Sequence, residues 1–198
     1  MAINKFGDGI SWELELNRVL LEDNKNLFYK FDENNEMVKR IRKYIVSTKE
    51  KKLLDCGCHM GRWVEFFEKM GFKYTGIEQS IEVFNKAMEY HPNIEGKRRF
   101  INQFIWDINF SNEFDIAISI AVLQHNTLGE KKRMIPKIYN ALKNGGLFVI
   151  LESTLLGTTP TQLSHSGWIS LMESFGFTFI DSWHTNEFGV EDSYIFRK

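Results

Sequence analysis

Cysteine, proline and long apolar runs are scarce in this chain, and each scarcity excludes something. Its 198 residues hold two cysteines and three prolines. Two cysteines build no disulfide framework, and Cys56 and Cys58 stand too close along an extended chain to bridge easily. A reducing, cytoplasmic setting is therefore expected. No run of about 18 apolar residues occurs, so no bilayer span is expected. Residues 1–20 hold no apolar core flanked by basic residues, so no secretory leader is expected. An excess of charge of one sign is also lacking. Lys and Arg total 25 against 26 Asp and Glu, and the net charge of -1 gives no bulk attraction to nucleic acid or anionic membrane. Linkers and internal repeats are absent as well, and the length reads as one domain.

What is present is an ordinary globular balance, 43% hydrophobic and 26% charged. Residues 11–46 read as helical, with Ser11 as N-cap, Glu13 and Glu15 in the first turn, and Met37, Ile41, Tyr44 and Ile45 at helical spacing. From Lys51 short apolar runs alternate with amphipathic stretches. Strands are predicted over Leu53–Cys56, Lys73–Ile77, Arg98–Asn102, Phe114–Ile120 and Leu147–Leu151. Helices are predicted over Arg62–Met70, Ile81–Tyr90 and Glu130–Leu142, the last closed by Asn144-Gly145-Gly146. A helix capped by Ser164 then runs to Phe175 and stops at Gly176. Phe177–Trp183 and Ser193–Arg197 close the chain as two strands joined through Gly189, an antiparallel edge hairpin. Strand–helix alternation of this kind predicts an α/β fold, with parallel strands and crossover helices on both faces.

The first strand runs into Asp55-Cys56-Gly57-Cys58-His59-Met60-Gly61-Arg62-Trp63. Open parallel sheets bind ligands at the carboxyl ends of their strands, and this turn is the first such place. A dinucleotide fingerprint needs glycine at relative positions 1, 3 and 6. Gly57 supplies the first, but His59 and Arg62 stand at the others. A phosphate-cradling P-loop fails too, because no Gly-Lys-Ser/Thr follows.

Asp55-x-Gly57-x-x-x-Gly61 after two leucines resembles the glycine-rich loop of class I S-adenosylmethionine-dependent methyltransferases. His59 departs from that pattern, standing where the family has its middle glycine. Histidine is among the residues enriched at positive φ, so the backbone shape is expected to persist. The resemblance covers about 50–198. It implies a Rossmann-like, seven-stranded, mostly parallel sheet, with S-adenosylmethionine as cofactor held by Asp55, Gly57, His59 and Gly61. Glu78, 21 positions after Gly57, would accept from both ribose hydroxyls, with Gln79 beside it. Trp106-Asp107 resembles the adenine-binding position, with Ile105 or Trp106 covering the ring. Phe114 to His125, with Ile120 counted among the cofactor residues, resembles the fourth strand and its loop. Its Leu-Gln-His ending is common in small-molecule and sugar-modifying members. Residues 1–46 would form a lid or packing segment, in which Phe28, Tyr29 and Phe31 are lid candidates, and 47–198 the methyltransferase domain. Trp106, Trp168, Phe28 and Tyr29 stand where a ring or lid could meet ligand, the other aromatics reading as core.

The implied reaction is methyl transfer to a small molecule or glycan, at oxygen. His125 is the first candidate for general base, at the rim after the fourth strand, because imidazole titrates near neutral pH. His165, at the start of the substrate-side helix, is the second. Glu152 would orient either histidine or bind acceptor hydroxyls. The competing reading for each is structural: a cap, a pocket wall, a solvated helix start. Cys56-x-Cys58-His59 has poor zinc spacing and no second cysteine pair, so no metal is expected. Lys97-Arg98-Arg99 and Lys131-Lys132-Arg133 read as solvated faces. No Asn/Asp-Pro-Pro-aromatic segment follows the fourth strand, which weighs against nucleic acid as acceptor. A methyltransferase-like binding subunit without activity, or a protein or nucleic-acid methyltransferase, remain the alternatives.

Overall fold

The computed structural model describes residues 32–45, 50–92, 96, 98–154, 162–185 and 191–198. Ser11, Glu13, Glu15, Phe28, Tyr29, Phe31, Lys97 and Gly189 lie outside the described residues. In chain order the elements are α1 (Glu36–Tyr44), β1 (Lys51–Cys56), α2 (Val64–Lys69), β2 (Phe72–Glu78), α3 (Ile81–Tyr90) and β3 (Arg98–Asn102). They continue as β4 (Phe114–Ile120), α4 (Leu128–Ala141), β5 (Leu142–Ser153), α5 (His165–Glu173), β6 (Thr178–Thr185) and β7 (Glu191–Arg197). Single 3-10 turns follow β3, at Ile105–Asp107, and β4, at Leu123–His125.

The seven strands form one sheet in the order β3-β2-β1-β4-β5-β7-β6. The first five run parallel, and β7 and β6 complete the edge antiparallel, as the expected hairpin. The order reverses between β1 and β4, and a crevice opens at that point in sheets of this kind. Strand parity sorts side chains into two cores. Leu54, Phe148, Ile150, Tyr194 and Phe196 pack with α4 and α5, whereas Leu53, Val149, Leu151 and Ile195 pack with α1 and α2. No helix among the described residues is long and apolar enough to cross a membrane.

Three local readings change. Helix α4 begins earlier than expected because Thr127 caps it. The Thr127 side chain accepts from the Glu130 N–H, and the Glu130 carboxylate accepts from the Thr127 N–H. Asn144-Gly145-Gly146 does not stop that helix. Leu142 already pairs with Phe114, and the ladder resumes at Ile116 with Leu147. The Gly145 N–H donates to the Lys198 carbonyl and Lys198 returns a bond to Gly146, so the glycine turn lies inside β5. The basic runs are not simply solvated. Arg98 is held in two hydrogen bonds by Glu68, Arg133 lies 4.6 Å over the Trp106 ring, and Lys131 is 1% exposed.

Strand β6 carries a bulge. Phe179 pairs with Phe196, but Asp181, not Ile180, pairs with Ile195. The slip of one residue exchanges faces for everything after it. Asp181 therefore meets α1, accepting from Arg40 at 2.6 Å and from the Tyr44 hydroxyl at 3.0 Å. His184 turns to the other face, opposite Asp192.

Phe148, fully buried at the centre of β5, sits against Phe177 and supports the α4–α5 core. A Phe148→Ala substitution should cost about 3–5 kcal/mol, read as a lowered urea midpoint with the slope unchanged.

Candidate functional site

A cleft opens at the carboxyl ends of the parallel strands, lined by Gly57, His59, Glu78, Gln79, Gln103 and Asn126 with an apolar wall of Ile77, Ile105, Val122 and Met134. A few polar groups converging on an apolar wall is the lining a small-molecule cofactor needs. The turn after β1 builds one side. Both Gly57 and Cys58 donate their N–H to the Ile77 carbonyl at 2.9 Å, which folds the turn over the end of β2. Gly57 has φ +81, and a Cβ there would lie 2.6 Å from Val122 Cγ2. His59 has φ 51, so the imidazole position keeps the left-handed backbone expected of it.

Glu78 ends β2 and closes the same side. One carboxylate oxygen accepts from the His59 N–H at 3.0 Å and the other from the Ser80 N–H at 2.8 Å. Burial pushes this carboxyl up to about 7, against the backbone N–H bonds that favour its charged form. Each oxygen keeps a lone pair beyond its backbone bond, so the group can accept two further donors side by side. The Glu78 carbonyl is held by the Gln103 N–H and the Asn102 side chain, which fixes the β2–β3 rim.

The remaining expected residues fall in several places. Gly57, His59, Glu78 and Gln79 line the cleft. Asp55 does not. It is buried beneath the turn, its carboxylate accepting from the Tyr74 hydroxyl across the β1–β2 pair. Burial pushes that carboxyl up to about 7 as well. Gly61 has φ +78 and faces the His91 ring, where a Cβ would come within 2.7 Å of it. Ile105 is on the cleft wall. Trp106 instead stacks on Phe104, with ring centroids 4.6 Å apart, and Asp107 is exposed. Ile120 packs against the core on the α1–α2 face. Trp168 is fully buried with Lys131 5.4 Å over its ring, so it is core and not a ligand contact. Val122 belongs to the Phe114–His125 stretch, whereas Gln103, Asn126 and Met134 carry no motif, and only the fold brings them to the cleft.

Glu152, next to last in β5, is fully buried, and neither His125 nor His165 is its partner. Its carboxylate accepts from the Leu123 N–H at 3.0 Å, the Gln124 N–H at 2.9 Å and the Ser119 hydroxyl at 3.2 Å. It therefore holds the 3-10 turn after β4 and acts through that turn's backbone. Burial pushes its carboxyl up to about 8 and, through the same desolvation, the Lys131 ammonium down to about 8. Lys131 donates to the Asn126 carbonyl, a cleft residue. Gln124 links the turn onward. Its side-chain oxygen accepts from the Ser153 N–H, and its amide nitrogen stands 3.3 Å from His125 Nε2. Neither His125 nor His165 is among the cleft-lining residues, and His165, at the start of α5, has Nδ1 2.9 Å from Asp192. Cys56 and Cys58 are both buried and reduced. Cys58 packs over Gly76, where a Cβ would meet its sulfur at 2.6 Å.

Residues 53–146 match the family model described as a methyltransferase domain. An uncharacterized protein of Haemophilus influenzae is 25% identical over 157 residues, covering 68% of this chain, and the chain spans 61% of that relative's length. Among solved structures, an S-adenosylmethionine-dependent methyltransferase from Methanosarcina mazei superimposes with a TM-score of 0.68 at 17% identity, over 80% of this chain and 96% of its own. The 1,6-didemethyltoxoflavin-N1-methyltransferase of Burkholderia thailandensis, solved with its substrate and S-adenosylhomocysteine, superimposes with a TM-score of 0.71 at 16% identity, over 93% and 83%. The likeness to these structures is one of fold. It bears out the expected α/β fold with a seven-stranded, mostly parallel sheet, and the domain match lies within that sheet, over β1 to the start of β5.

Two outcomes follow from the buried carboxylates. Asp55 and Glu78 rise from 3.8 and 4.5 to about 7 on folding, so the folded chain holds protons that the unfolded chain has released. Their contribution is fully present at acid pH below both unfolded values and is lost as pH rises through about 7. Thermal melts of the free protein at pH 5.5 and 8 should show a smaller loss across that interval in Glu78→Gln than in the parent. Removal of the Glu152 carboxylate by Glu152→Ala strands two backbone N–H groups, at about 1–3 kcal/mol each. The urea midpoint should fall accordingly, and Glu152→Gln, which keeps one acceptor oxygen, should recover part of the loss.

Proposed function

We propose that this chain is an S-adenosylmethionine-dependent methyltransferase that modifies a hydroxyl of a small molecule or glycan. The observation that carries the reading is the Glu78 carboxylate, fixed at the end of β2 by the His59 and Ser80 N–H groups and lining the cleft beside the Gly57 turn. That geometry fits a vicinal diol such as ribose. The tight approach of Val122 to Gly57 fits a turn built for glycine backbone, and Ile105, Val122 and Met134 offer an apolar wall for a flat ring. The methyltransferase-domain match over residues 53–146 supports the same assignment.

When bound, the cofactor supplies a methyl group on a sulfonium whose electron pair returns to sulfur as the acceptor takes the methyl. The chain's contribution is mainly orientation, which can supply roughly 7–11 kcal/mol of the barrier. Glu78, Gln79 and the Gly57–His59 turn bind and align, and the turn after β4, tied down by Glu152, forms the wall toward the acceptor. A hydroxyl acceptor must lose its proton, and His125 and His165 are the rim imidazoles proposed to receive it. In this reading residues 47–198 form the catalytic domain, 1–46 act as lid or packing segment, and the protein works in the cytoplasm. Methylation of a protein or nucleic acid, or cofactor binding without turnover, are the other readings.

Calorimetry with S-adenosylmethionine tests the proposal. Glu78→Ala removes two hydrogen bonds to a charged group, about 3 kcal/mol together, so affinity should fall by about 100-fold with the fold retained by circular dichroism. No heat from the parent protein at millimolar cofactor would overturn the enzyme reading.

A further inference from the structure

Beyond the cleft, the same edge of the sheet carries a cluster of which the sequence pattern marks only His165. Strand register places Glu152 opposite Asp192 and Asp192 opposite His184, a polar row across β5, β7 and β6. His184 reaches that row because of the β6 bulge. Without the extra residue, Trp183 would stand opposite Asp192 and His184 would face the other side. His184 Nδ1 lies 3.0 Å from one Asp192 oxygen, and His165 Nδ1, from the start of α5, lies 2.9 Å from the other. The Tyr194 hydroxyl stands 3.4 Å from Asp192 Oδ2, and its ring packs 5.0 Å from that of His165. Asp192 is mostly covered, at 16% exposed, whereas the two imidazoles are about half exposed.

Those contacts set the chemistry of the pair. Burial works to raise Asp192, but the hydrogen bonds from His184 and His165 outweigh it and hold the carboxyl below its ordinary value. A carboxylate accepting from both Nδ1 atoms fixes one tautomer in each neutral ring, with the proton at Nδ1 and the lone pair at Nε2. The same arrangement is how a carboxylate prepares an imidazole as general base. Metal ligation is the other use of such a pair, but no group of three or more His, Cys, Asp or Glu among the described residues is arranged to hold a metal ion.

We infer that His165, Asp192 and His184 form a two-imidazole proton acceptor for the acceptor's hydroxyl. The inference rests on the methyl-transfer reading and adds Asp192 and His184 to the site. As the hydroxyl oxygen bonds to the methyl carbon, its O–H bond breaks and the proton passes to His165 Nε2. The imidazolium then faces the Asp192 carboxylate, and His184 Nε2 accepts from a neighbouring hydroxyl and orients it. One carboxylate with two neutral rings carries net negative charge, so the site selects neutral polyols or catechols over carboxylate- or phosphate-bearing acceptors.

Imidazole nitrogen NMR of the full chain bound to S-adenosylhomocysteine, at pH 8, tests this. Both rings should show the Nδ1-protonated tautomer, and Asp192→Asn should remove that preference. Catechol or methyl glucoside should shift the Nε2 resonances of both histidines, and propionate should not. With a probe that is methylated, His165→Gln should lower kcat and flatten its pH profile, whereas His184→Gln should mainly raise KM. Bound S-adenosylhomocysteine with neither ring moved by either hydroxyl probe overturns the inference alone. A response of His165 only removes His184 from it, and failure of S-adenosylhomocysteine to bind overturns the methyl-transfer reading beneath it.

Discussion

Backbone amides that leave a parallel sheet at its carboxyl edge lose their ladder partners, and a turn that is to be buried there must find acceptors for them. In this chain two glutamates at strand ends do so. Glu78, ending β2, takes the amides of His59 and Ser80, and Glu152, next to last in β5, takes those of Leu123 and Gln124. Each carboxylate thus ties its own strand to the turn of a neighbour. The cleft exists because both turns are held at fixed distance from the sheet. Burial raises both carboxyls, so each is an energetic cost that the amides, and for Glu152 also the Ser119 hydroxyl and the Lys131 charge, partly offset.

The two glutamates differ in what they have left over. Glu78 lines the cleft and keeps accepting capacity toward it. Glu152 is fully covered, and its third bond goes to Ser119 inside the sheet. One can meet a ligand and the other can only shape what meets it. Lys131 belongs with the second. It is a cation inside the core that reaches the Asn126 carbonyl and lies over Trp168. Charged groups are seldom buried without such partners.

Much of this was legible from residue order, and the failures have physical causes. Strand positions, the edge hairpin and the glycine turn follow from apolar runs and from backbone angles that local sequence dictates, and His59 at φ 51 is a local matter of that kind. Side-chain destinations are not local. Asp55 reads as a cofactor ligand, but parallel pairing sets Leu53 beside Tyr74, whose hydroxyl then reaches the Asp55 carboxylate. Glu152 and Trp168 read as ligand contacts, but the strand and helix faces they occupy turn them inward. Arg98 and Lys131 sit in runs that look solvated, but long-range packing gives Arg98 the half-buried Glu68 and sets Lys131 over the buried Trp168 ring. The bulge in β6 left no mark in residues 178–185, because a register slip is a property of two strands together.

That slip has a wider consequence for how the edge of the sheet can change. After the bulge, alternate residues of β6 serve two masters. Asp181 anchors α1 through Arg40 and Tyr44, and Arg40 also lies 5.4 Å over the Trp183 ring, whereas Ser182 and His184 look to the opposite side. The two sets of side chains face opposite sides of the sheet, and the Ser182 link to Asp181 runs through its backbone N–H, which a change of side chain at 182 leaves in place. Variation at 182 and 184 can therefore retune what that edge presents while 181 and 183 keep the helix in place.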